Sequence, residues 1–403
     1  MAEKKRLLVV SQHYWPENFR ITDICEGFAA GGFEVDVLCG IPNYPKGEWF
    51  EGYGPRGPRR EERAGVQIFR AREVRRRGNT ALRIFLNYVS FPLCALANLR
   101  RLPGGYDAVL CYETSPVLMI FPAWVYAKLH RLPLTTYVLD LWPENLYSVL
   151  PVKNRLLRAV AKGVSHWLYR RCGRLIAMSD ALAEMLRAVA PAAEVVTIPQ
   201  YCEDFYAEDV RDEALAARFA GRFNVVFTGN ISPAQDLGLL VACAQRLRRE
   251  NRRDIHFVIV GDGMSREALQ AQIEREGLGE WFSFEGQRPA RDIPRYTGVA
   301  GALFAALADS ADLGLTVPAK ITSYLAAGKP CLVAVNGEAA RVIQQAGAGL
   351  ASGAGDAAAL YENLVRLADM PAEERAGMGA RGRSWYRAHF SRALLLERLK
   401  ALF

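Results

Sequence analysis

The chain has 403 residues, of which 51% are hydrophobic and 23% are charged. This composition excludes a disordered or collagen-like protein, and the length exceeds what one hydrophobic core usually supports, so we expect two globular domains of about 200 residues each. The net charge of +8 is uneven: residues 1–200 hold 27 Lys+Arg and 18 Asp+Glu, whereas residues 201–403 hold 24 and 25. The basic excess therefore lies entirely in the first half.

The N-terminus and the cysteines indicate where the protein resides. MAEKKRLLVV passes directly into a predicted strand and lacks the long apolar region and cleavage site of a signal peptide, which predicts a cytoplasmic protein. The eight cysteines are scattered and form no C-x-x-C pair. We therefore expect buried free thiols rather than disulfides or a zinc site.

The predicted elements begin with a strand, a helix and a second strand. LLVVSQHYWPEN reads as a buried strand and a polar loop, the residues up to Gly31-Gly32 have helical spacing, and EVDVLCG forms the next strand. The pattern returns at YDAVLCYETSP, LTTYVLDLWPEN and CGRLIAMSD. Parallel strands joined by helices place their carboxyl ends along one edge, where α/β folds bind ligands.

An apolar run within the first half, IFLNYVSFPLCALANL, is flanked by arginines between Arg70 and Arg101, with Glu73 as the only acidic residue in that span. Polar residues and Pro92 interrupt the run, so it is predicted to fall short of the ~20 apolar residues of a spanning helix. We interpret the Arg70–Arg101 region as an interfacial segment that binds an anionic membrane surface. The alternative is a core helix with a basic flank. No nucleic-acid-binding motif accompanies the charge, so we expect no nucleic acid partner.

A second alternation of strands and helices begins at FNVVFTGN and continues through IHFVIVGDG, FSFEGQ, GALFAAL and PCLVAVNGE. The predicted fold class is therefore α/β, with two Rossmann-like doubly wound domains. We place the hinge between Pro199 and Arg222. The predicted domains are 1–200 and 201–383, and the last helix, within 384–403, is expected to pack back on the first domain.

Three segments of the second half have the form of phosphate-binding turns, in which backbone N–H groups and a helix N-terminus face an anion. In FTGNISPAQDLG, Gly229 permits close backbone approach, Asn230 can donate hydrogen bonds and Gln235 lies near a helix start. VIVGDGMSREAL repeats the arrangement at Gly261, and TVPAKITSYLAAGKP adds the positive charge of Lys320. None contains the full G-x-G-x-x-G or G-x-x-x-x-G-K-[ST] motif, which argues against a dehydrogenase and a P-loop NTPase.

In order and spacing, these segments resemble the donor domain of the retaining family 4 glycosyltransferases with the GT-B fold, in which two Rossmann-like domains face each other. The N-terminal SQHYWPENFRITDICEGFAAGGFEVDVLCGIPNYPKGEWFEGYG and the later VLDLWPEN resemble the subgroup that builds colanic acid, O-antigen and related capsular polysaccharides. The resemblance covers nearly the whole chain. It implies an enzyme that transfers a sugar from a nucleotide-activated donor.

The resemblance also implies residue roles. The donor-binding residues are Gly229, Asn230, Gln235, Gly261, Gln287, Arg288, Pro318, Lys320 and Ser323. The acceptor-binding residues are Pro16, Glu17, Asn18, Arg20 and Glu144. The predicted catalytic residues are Asp140, Lys320 and Asn230; a lysine and fixed dipoles stabilise the charge that accumulates on a departing nucleoside diphosphate.

The sequence departs from the wider family at two places. The E-x7-E motif is absent, with Leu315 and Ser323 at its glutamate positions, and the Arg and Lys that usually grip the diphosphate are Asn230 and Gln235. Lys320 is then the main candidate for the countercharge. Because no D-x-D motif is present, we expect no metal and no further cofactor.

The resemblance thus implies retaining transfer of an N-acetylhexosamine or deoxyhexose to a sugar linked to polyprenyl diphosphate, by a peripheral protein at the inner face of the cell membrane. UDP is the expected carrier, with GDP as the alternative. Two other functions stay open. One is a non-hydrolysing UDP-sugar epimerase, which needs no acceptor, and the other is a catalytically inactive scaffold that binds nucleotide sugar or membrane.

Overall fold

The computed structural model describes residues 4–139, 142–143, 154–310 and 313–403 of the chain. It divides into two compact units, Met1–Ile198 with Leu396–Phe403, and Pro199–Leu395. The predicted site residues Asp140 and Glu144 lie outside the described residues.

The first unit is built on an eight-stranded sheet. Its strands are β1 Arg6–Val10, β2 Glu34–Cys39, β3 Arg60–Arg63, β4 Val66–Arg70, β5 Ala108–Glu113, β6 Leu134–Val138, β7 Arg174–Ala177 and β8 Glu194–Thr197. The order is β3-β4-β2-β1-β5-β6-β7-β8, and neighbours are parallel except β3 with β4. Every residue of β5 and β6 is buried, as expected for parallel strands covered on both faces.

Helices connect these strands. Those in the described part are α1 Ile21–Ala30, α2 Ala81–Asn98, α3 Ile120–His130, α4 Arg155–Tyr169 and α5 Asp180–Val189. Thr80, Asn154 and Ser179 cap the first turns of α2, α4 and α5 by accepting backbone N–H groups. α2 and α5 follow strands of the parallel sheet, and α4 ends shortly before the parallel strand β7, so the first turns of these crossover helices lie toward the carboxyl edge of that sheet, as does the loop after β1.

The predicted interfacial segment is a regular helix. α2 runs through Pro92, and Leu99–Arg101 extends it as a 3₁₀ turn. Its length and composition suffice to cross a membrane, so the prediction that this run falls short of a spanning helix is wrong. A core helix meets the same criterion, and α2 packs into the core of the first unit through Tyr88, Phe91 and Ala95.

The second unit contains a six-stranded parallel sheet. Its strands are β9 Phe223–Thr228, β10 Ile255–Val260, β11 Phe282–Gly286, β12 Ala302–Ala306, β13 Cys331–Ala334 and β14 Gly349–Ser352, in the order β11-β10-β9-β12-β13-β14. The described helices are α6 Glu213–Arg218, α7 Gly238–Arg249, α8 Arg266–Arg275, α9 Ile293–Gly298, α10 Ala319–Ala327, α11 Glu338–Ala346, α12 Ala357–Asp369, α13 Ala372–His389 and α14 Arg392–Lys400. The strand order reverses at β9, and ligands of doubly wound folds bind beside such a switch point.

The C-terminal segment divides between the units. The sequence assigned 384–403 to the first domain, but Tyr386 and Phe390 are buried in a core cluster of the second unit. Only Leu396–Phe403 belongs to the first unit, where Arg398 donates to the carbonyl of Thr197 at 2.7 Å. The predicted boundary at residue 384 therefore differs from the observed boundary at Leu396, because the apolar side of α13 completes the core of the second unit.

Candidate functional site

The turns after β9 and β10 pack against each other through backbone atoms. Gly229 has φ 130° and Gly261 has φ 151°. A Cβ on Gly261 would lie 1.9 Å from the carbonyl oxygen of Gly229, so only glycine fits there. The N–H groups of the two glycines donate to Val260 O and Gly286 O at 2.9 Å each. These N–H groups are therefore engaged within the fold rather than open to a phosphate.

Lys320 is the charged group beside this pair of turns. It occupies the second position of α10, and its Nζ lies 3.6 Å from where a Cβ on Gly229 would be and 3.7 Å from the ring centroid of Phe227. The Nζ donates to Gln235 Oε1. No acidic partner for it is found among the described residues. Burial lowers the pKa of Lys320 to about 7, and no anion among the described residues offsets this effect.

Tyr324, one turn further along α10, fixes the position of Lys320. Its hydroxyl accepts from Thr228 N at 3.0 Å and donates to Phe304 O at 3.1 Å, which ties the helix to the ends of β9 and β12. Tyr324 is 1% exposed. Sequence reasoning missed this residue, although its i+4 spacing from Lys320 places both on one face of a helix.

The other predicted donor residues lie along the same edge of this sheet. Gln287 and Arg288 follow the carboxyl end of β11. Because β11 lies next to β10, this end neighbours the Gly261 turn after β10. Arg288 lies 3.8 Å from Glu285 Oε2, and its guanidinium is 5.8 Å from the Tyr296 ring centroid. Gln287 is exposed. Gln287 and Arg288 therefore lie at the same edge of the sheet as Gly261.

Three predicted residues surround the start of α10 or the Gly229 turn. Pro318 is the N-cap residue of α10, and Asn230 is exposed at the turn. Ser323 is 8% exposed, and its hydroxyl donates to the Lys320 carbonyl at 2.9 Å. The Ser323 hydroxyl is thus used inside the helix, whereas Asn230 faces solvent.

In the first unit, the loop after β1 is held by a buried carboxylate. Glu17 is 3% exposed, and its Oε1 accepts the N–H groups of Asn43 and Tyr44 at 2.6 and 2.7 Å. Its Oε2 lies 2.7 Å from His13 Nδ1. Glu17, predicted as an acceptor ligand, therefore joins the loops after β1 and β2. Of the other predicted acceptor residues, Asn18 is exposed, and Pro16 and Arg20 are partly exposed.

A second carboxyl group extends this network to α2. Glu73 accepts from Gln12 Nε2 at 2.7 Å, Asn43 Nδ2 at 2.8 Å and Asn87 Nδ2 at 3.1 Å. Burial first, and then the charge of Glu17, raise the pKa of Glu73 well above its usual value. Sequence reasoning noted Glu73 only as an interruption of the arginine run. Its solitary negative charge there was the available signal.

The inner face of α2 also contacts the loops after β5 and β6. Tyr88 OH lies 3.2 Å from Ser115 Oγ, and Trp142 Nε1 donates to the same oxygen at 3.1 Å. Together with Asn87, these contacts connect α2 to three loops at the carboxyl edge of the first sheet. In the described part of the chain, no group of three or more His, Cys, Asp or Glu residues could hold a metal ion.

Comparison with known proteins gives consistent matches. A family profile described as "Glycosyl transferase 4-like domain" matches residues 18–200, and one described as "Glycosyl transferases group 1" matches residues 222–370. The 2-deoxystreptamine glucosyltransferase of Streptomyces kanamyceticus is 25% identical over 346 residues, covering 83% of this chain and 87% of that protein.

Two solved structures resemble the fold across its whole length. Sucrose-phosphate synthase from Thermosynechococcus elongatus superposes with a TM-score of 0.73 at 15% identity, covering 99% of this chain and 98% of that one. Anabaena HepE, solved in complex with UDP, has a TM-score of 0.69 at 15% identity and 99% coverage of both chains. The predicted α/β class with two Rossmann-like domains is confirmed. The chain belongs to the GT-B glycosyltransferases that combine a glycosyl transferase 4-like domain with a group 1 domain.

Proposed function

We propose that this glycosyltransferase moves a sugar of N-acetylhexosamine or deoxyhexose type from a UDP-linked donor to a sugar carried on polyprenyl diphosphate, with retention of configuration, in the assembly of a surface polysaccharide. The observation that carries the donor half is Lys320, a partly buried ammonium beside the Gly229 turn with no acidic partner among the described residues. Such a group suits a diphosphate. The UDP complex of HepE supports UDP as the carrier.

The chemistry assigned to Lys320 is leaving-group stabilisation. In the proposed reaction the bond between the sugar C1 and the diphosphate oxygen breaks, and the acceptor hydroxyl oxygen bonds to C1 on the same face. The hydroxyl proton passes to the departing diphosphate oxygen. Negative charge grows on that oxygen, and a fixed ammonium near it lowers the barrier. Asn230, exposed at the same turn, is the proposed neutral donor to the diphosphate.

The first unit is proposed to hold the acceptor. Its loops after β1, β5 and β6 converge on the inner face of α2, whose outer face exposes Leu82, Phe85 and Leu93. Arginines surround this helix in sequence. An apolar, basic surface next to the acceptor loops suits a substrate held by a lipid in an anionic membrane, and we propose that the protein works peripherally at the cytoplasmic face.

The test is transfer from labelled UDP and GDP sugars to polyprenyl-diphosphate-linked acceptors, followed by chromatography of the lipid product. Lys320→Ala should lose transfer, whereas Lys329→Ala, two residues beyond the end of the same helix, should keep it. Lys329 donates to the Gly298 carbonyl at 2.9 Å and is therefore a matched control. Failure of every donor and acceptor pair would contradict the proposal.

The same assay separates the other candidates. Interconversion of the UDP sugar without acceptor would identify an epimerase, and nucleotide binding without turnover would identify a scaffold. Transfer to a soluble aminocyclitol but to no lipid would place the activity with the 2-deoxystreptamine glucosyltransferase that the chain resembles. Product formed only with the lipid-linked sugar supports the proposal.

A further inference from the structure

The helix α4 carries an apolar stripe that is exposed in the described structure, although its last member, Trp167, packs on one side against Trp124 of α3. The stripe consists of Leu156, Leu157, Val160, Val164 and Trp167, all of them exposed. At about 100° per residue they lie about 0°, 100°, 40°, 80° and 20° around the helix axis, counted from Leu156. A single arc of the helix surface is therefore apolar. The buried residues Ser165, Leu168 and Tyr169 lie outside this arc, near the C-terminal end of the helix.

The charge around this stripe is of one sign. Residues 154–179 contain no Asp or Glu, and their basic residues are Arg155, Arg158, Lys162, Arg170, Arg171 and Arg174. Arg155, Arg158 and Lys162 lie about 200° to 260° from Leu156, opposite the apolar arc. A second copy of this helix would present the same positive charge, which disfavours self-association. An anionic surface complements it.

The position of the stripe gives a further indication. α2 follows β4, and α4 ends shortly before β7, a parallel strand of the same sheet, so the first turns of both crossover helices lie toward the carboxyl edge of the first sheet. α2 exposes Leu82 at 67% and Phe85 at 53% in its first turns, and Leu156 of α4 is 71% exposed. Two apolar helix starts therefore occupy the edge that carries the acceptor loops.

We propose that α4 is an interfacial helix that inserts the Leu156–Trp167 stripe into an anionic lipid bilayer, as a second contact in addition to α2. A helix with Leu and Trp on one face and Lys and Arg on the other has the composition that binds at the headgroup boundary. Two contacts bind a bilayer far more stably than one. The inference rests on the proposed function in one respect, that the acceptor is carried by a membrane lipid.

Vesicle flotation of the full chain tests this inference, with vesicles of phosphatidylcholine alone and of equimolar phosphatidylcholine and phosphatidylglycerol. The wild type should float with the anionic vesicles and only weakly with the neutral ones. The variant Leu156→Ser/Leu157→Ser/Val160→Ser should bind the anionic vesicles at least about tenfold more weakly, because three apolar side chains no longer enter the bilayer. These side chains are exposed, so its melting temperature should match the wild type.

Leu129 provides the matched control. It is 72% exposed, against 71% for Leu156, but it lies at the C-terminal end of α3 and hence at the opposite edge of the sheet. Leu156→Ser should weaken vesicle binding, and Leu129→Ser should not.

Three results would overturn the proposal: a wild type that does not float, a triple variant that binds like the wild type, or equal binding to neutral and anionic vesicles. A triple variant that changes from dimer to monomer in light scattering, with unchanged flotation, would show instead that the stripe pairs two copies. Loss of flotation in Leu82→Ser/Phe85→Ser together with unchanged flotation of the α4 triple variant would leave α2 as the membrane contact and refute the role of α4. Absence of glycosyl transfer with normal flotation would contradict the proposed acceptor and not the membrane surface.

Discussion

Lys320 should make nucleotide binding depend on pH above neutrality. Its pKa is lowered to about 7 by burial, so the free protein is half protonated there at pH 7 and about one-tenth protonated at pH 8. A bound diphosphate favours the charged amine and raises that pKa, so binding takes up a proton. The last ionisation of a phosphate group, near pH 6, is about nine-tenths complete at pH 7 and changes little above that pH.

The expected magnitude follows from the neutral fraction. Affinity for UDP should fall about 50-fold between pH 7 and pH 9, provided that the pKa in the complex lies above 9. Calorimetry in buffers of different ionisation enthalpy should show uptake of about 0.5 proton per UDP at pH 7 and about 0.9 at pH 8.

The sign of the pKa shift also fixes the direction in which the stability of the free protein changes with pH. Because the folded pKa lies below the ordinary value for lysine, the unfolded chain binds more protons between about pH 7 and pH 10, and stability contributed by Lys320 rises with pH across that window.

The variant Lys320→Arg is the control for this prediction. Its guanidinium stays protonated throughout, so UDP affinity should be flat from pH 7 to pH 9 and no proton should be taken up at this site. A flat profile in the wild type, with no proton uptake, would refute the reasoning. It would mean that the Lys320 amine stays protonated in the free protein across this pH range despite its burial.

Three further predictions concern residues that shape the two sites. Gly261→Ala should lower the free energy of unfolding, measured in urea, by about 2 to 4 kcal/mol, because its Cβ would lie 1.9 Å from a backbone carbonyl oxygen. Gly279→Ala, whose Cβ would have nothing within 4 Å, should change that free energy by no more than about 0.5 kcal/mol, and equal effects of the two variants would refute the close approach. Tyr324→Phe should cost about 1 to 3 kcal/mol because the buried N–H of Thr228 loses its acceptor, and an unchanged denaturation midpoint would contradict that bond. Glu17→Gln should reduce glycosyl transfer by loosening the acceptor loop while calorimetric UDP affinity stays the same; a parallel loss of UDP affinity would show that Glu17 acts on the donor site.

The strands of both sheets were largely predictable because buried parallel strands are short apolar runs. FNVVFTGN and IHFVIVGDG became β9 and β10 with their polar ends at the carboxyl edge. The strand β3, Arg60–Arg63, was not predicted, because an antiparallel edge strand of charged residues has no apolar signal. The prediction that polar residues leave α2 short of a spanning helix was wrong, and one of those residues, Asn87, is fully buried and bonded to Gln12, a partner that no local pattern shows.

The candidate donor site was only partly predictable from the sequence. The sequence segments around Gly229 and Lys320 predicted that both residues belong to one site. The hydrogen bonds that occupy the Gly229 and Gly261 N–H groups were not predictable, because they depend on contacts between neighbouring strands. The network around Glu73 joins Gln12, 61 residues away, and Asn43, 30 residues away, so no local pattern contains it. Long-range hydrogen bonds of this kind appear only once the chain is folded.

The central claim is that Lys320 forms part of a site for a nucleoside diphosphate. A thermal-shift titration of the wild type, Lys320→Ala and Lys329→Ala with UDP, GDP, ADP and dTDP tests it directly, because a ligand at 100-fold its dissociation constant stabilises a fold by ~2.7 kcal/mol. We predict a selective shift with UDP in the wild type and Lys329→Ala, and its loss in Lys320→Ala. No shift with any nucleotide, or an equal shift in Lys320→Ala, would contradict the claim.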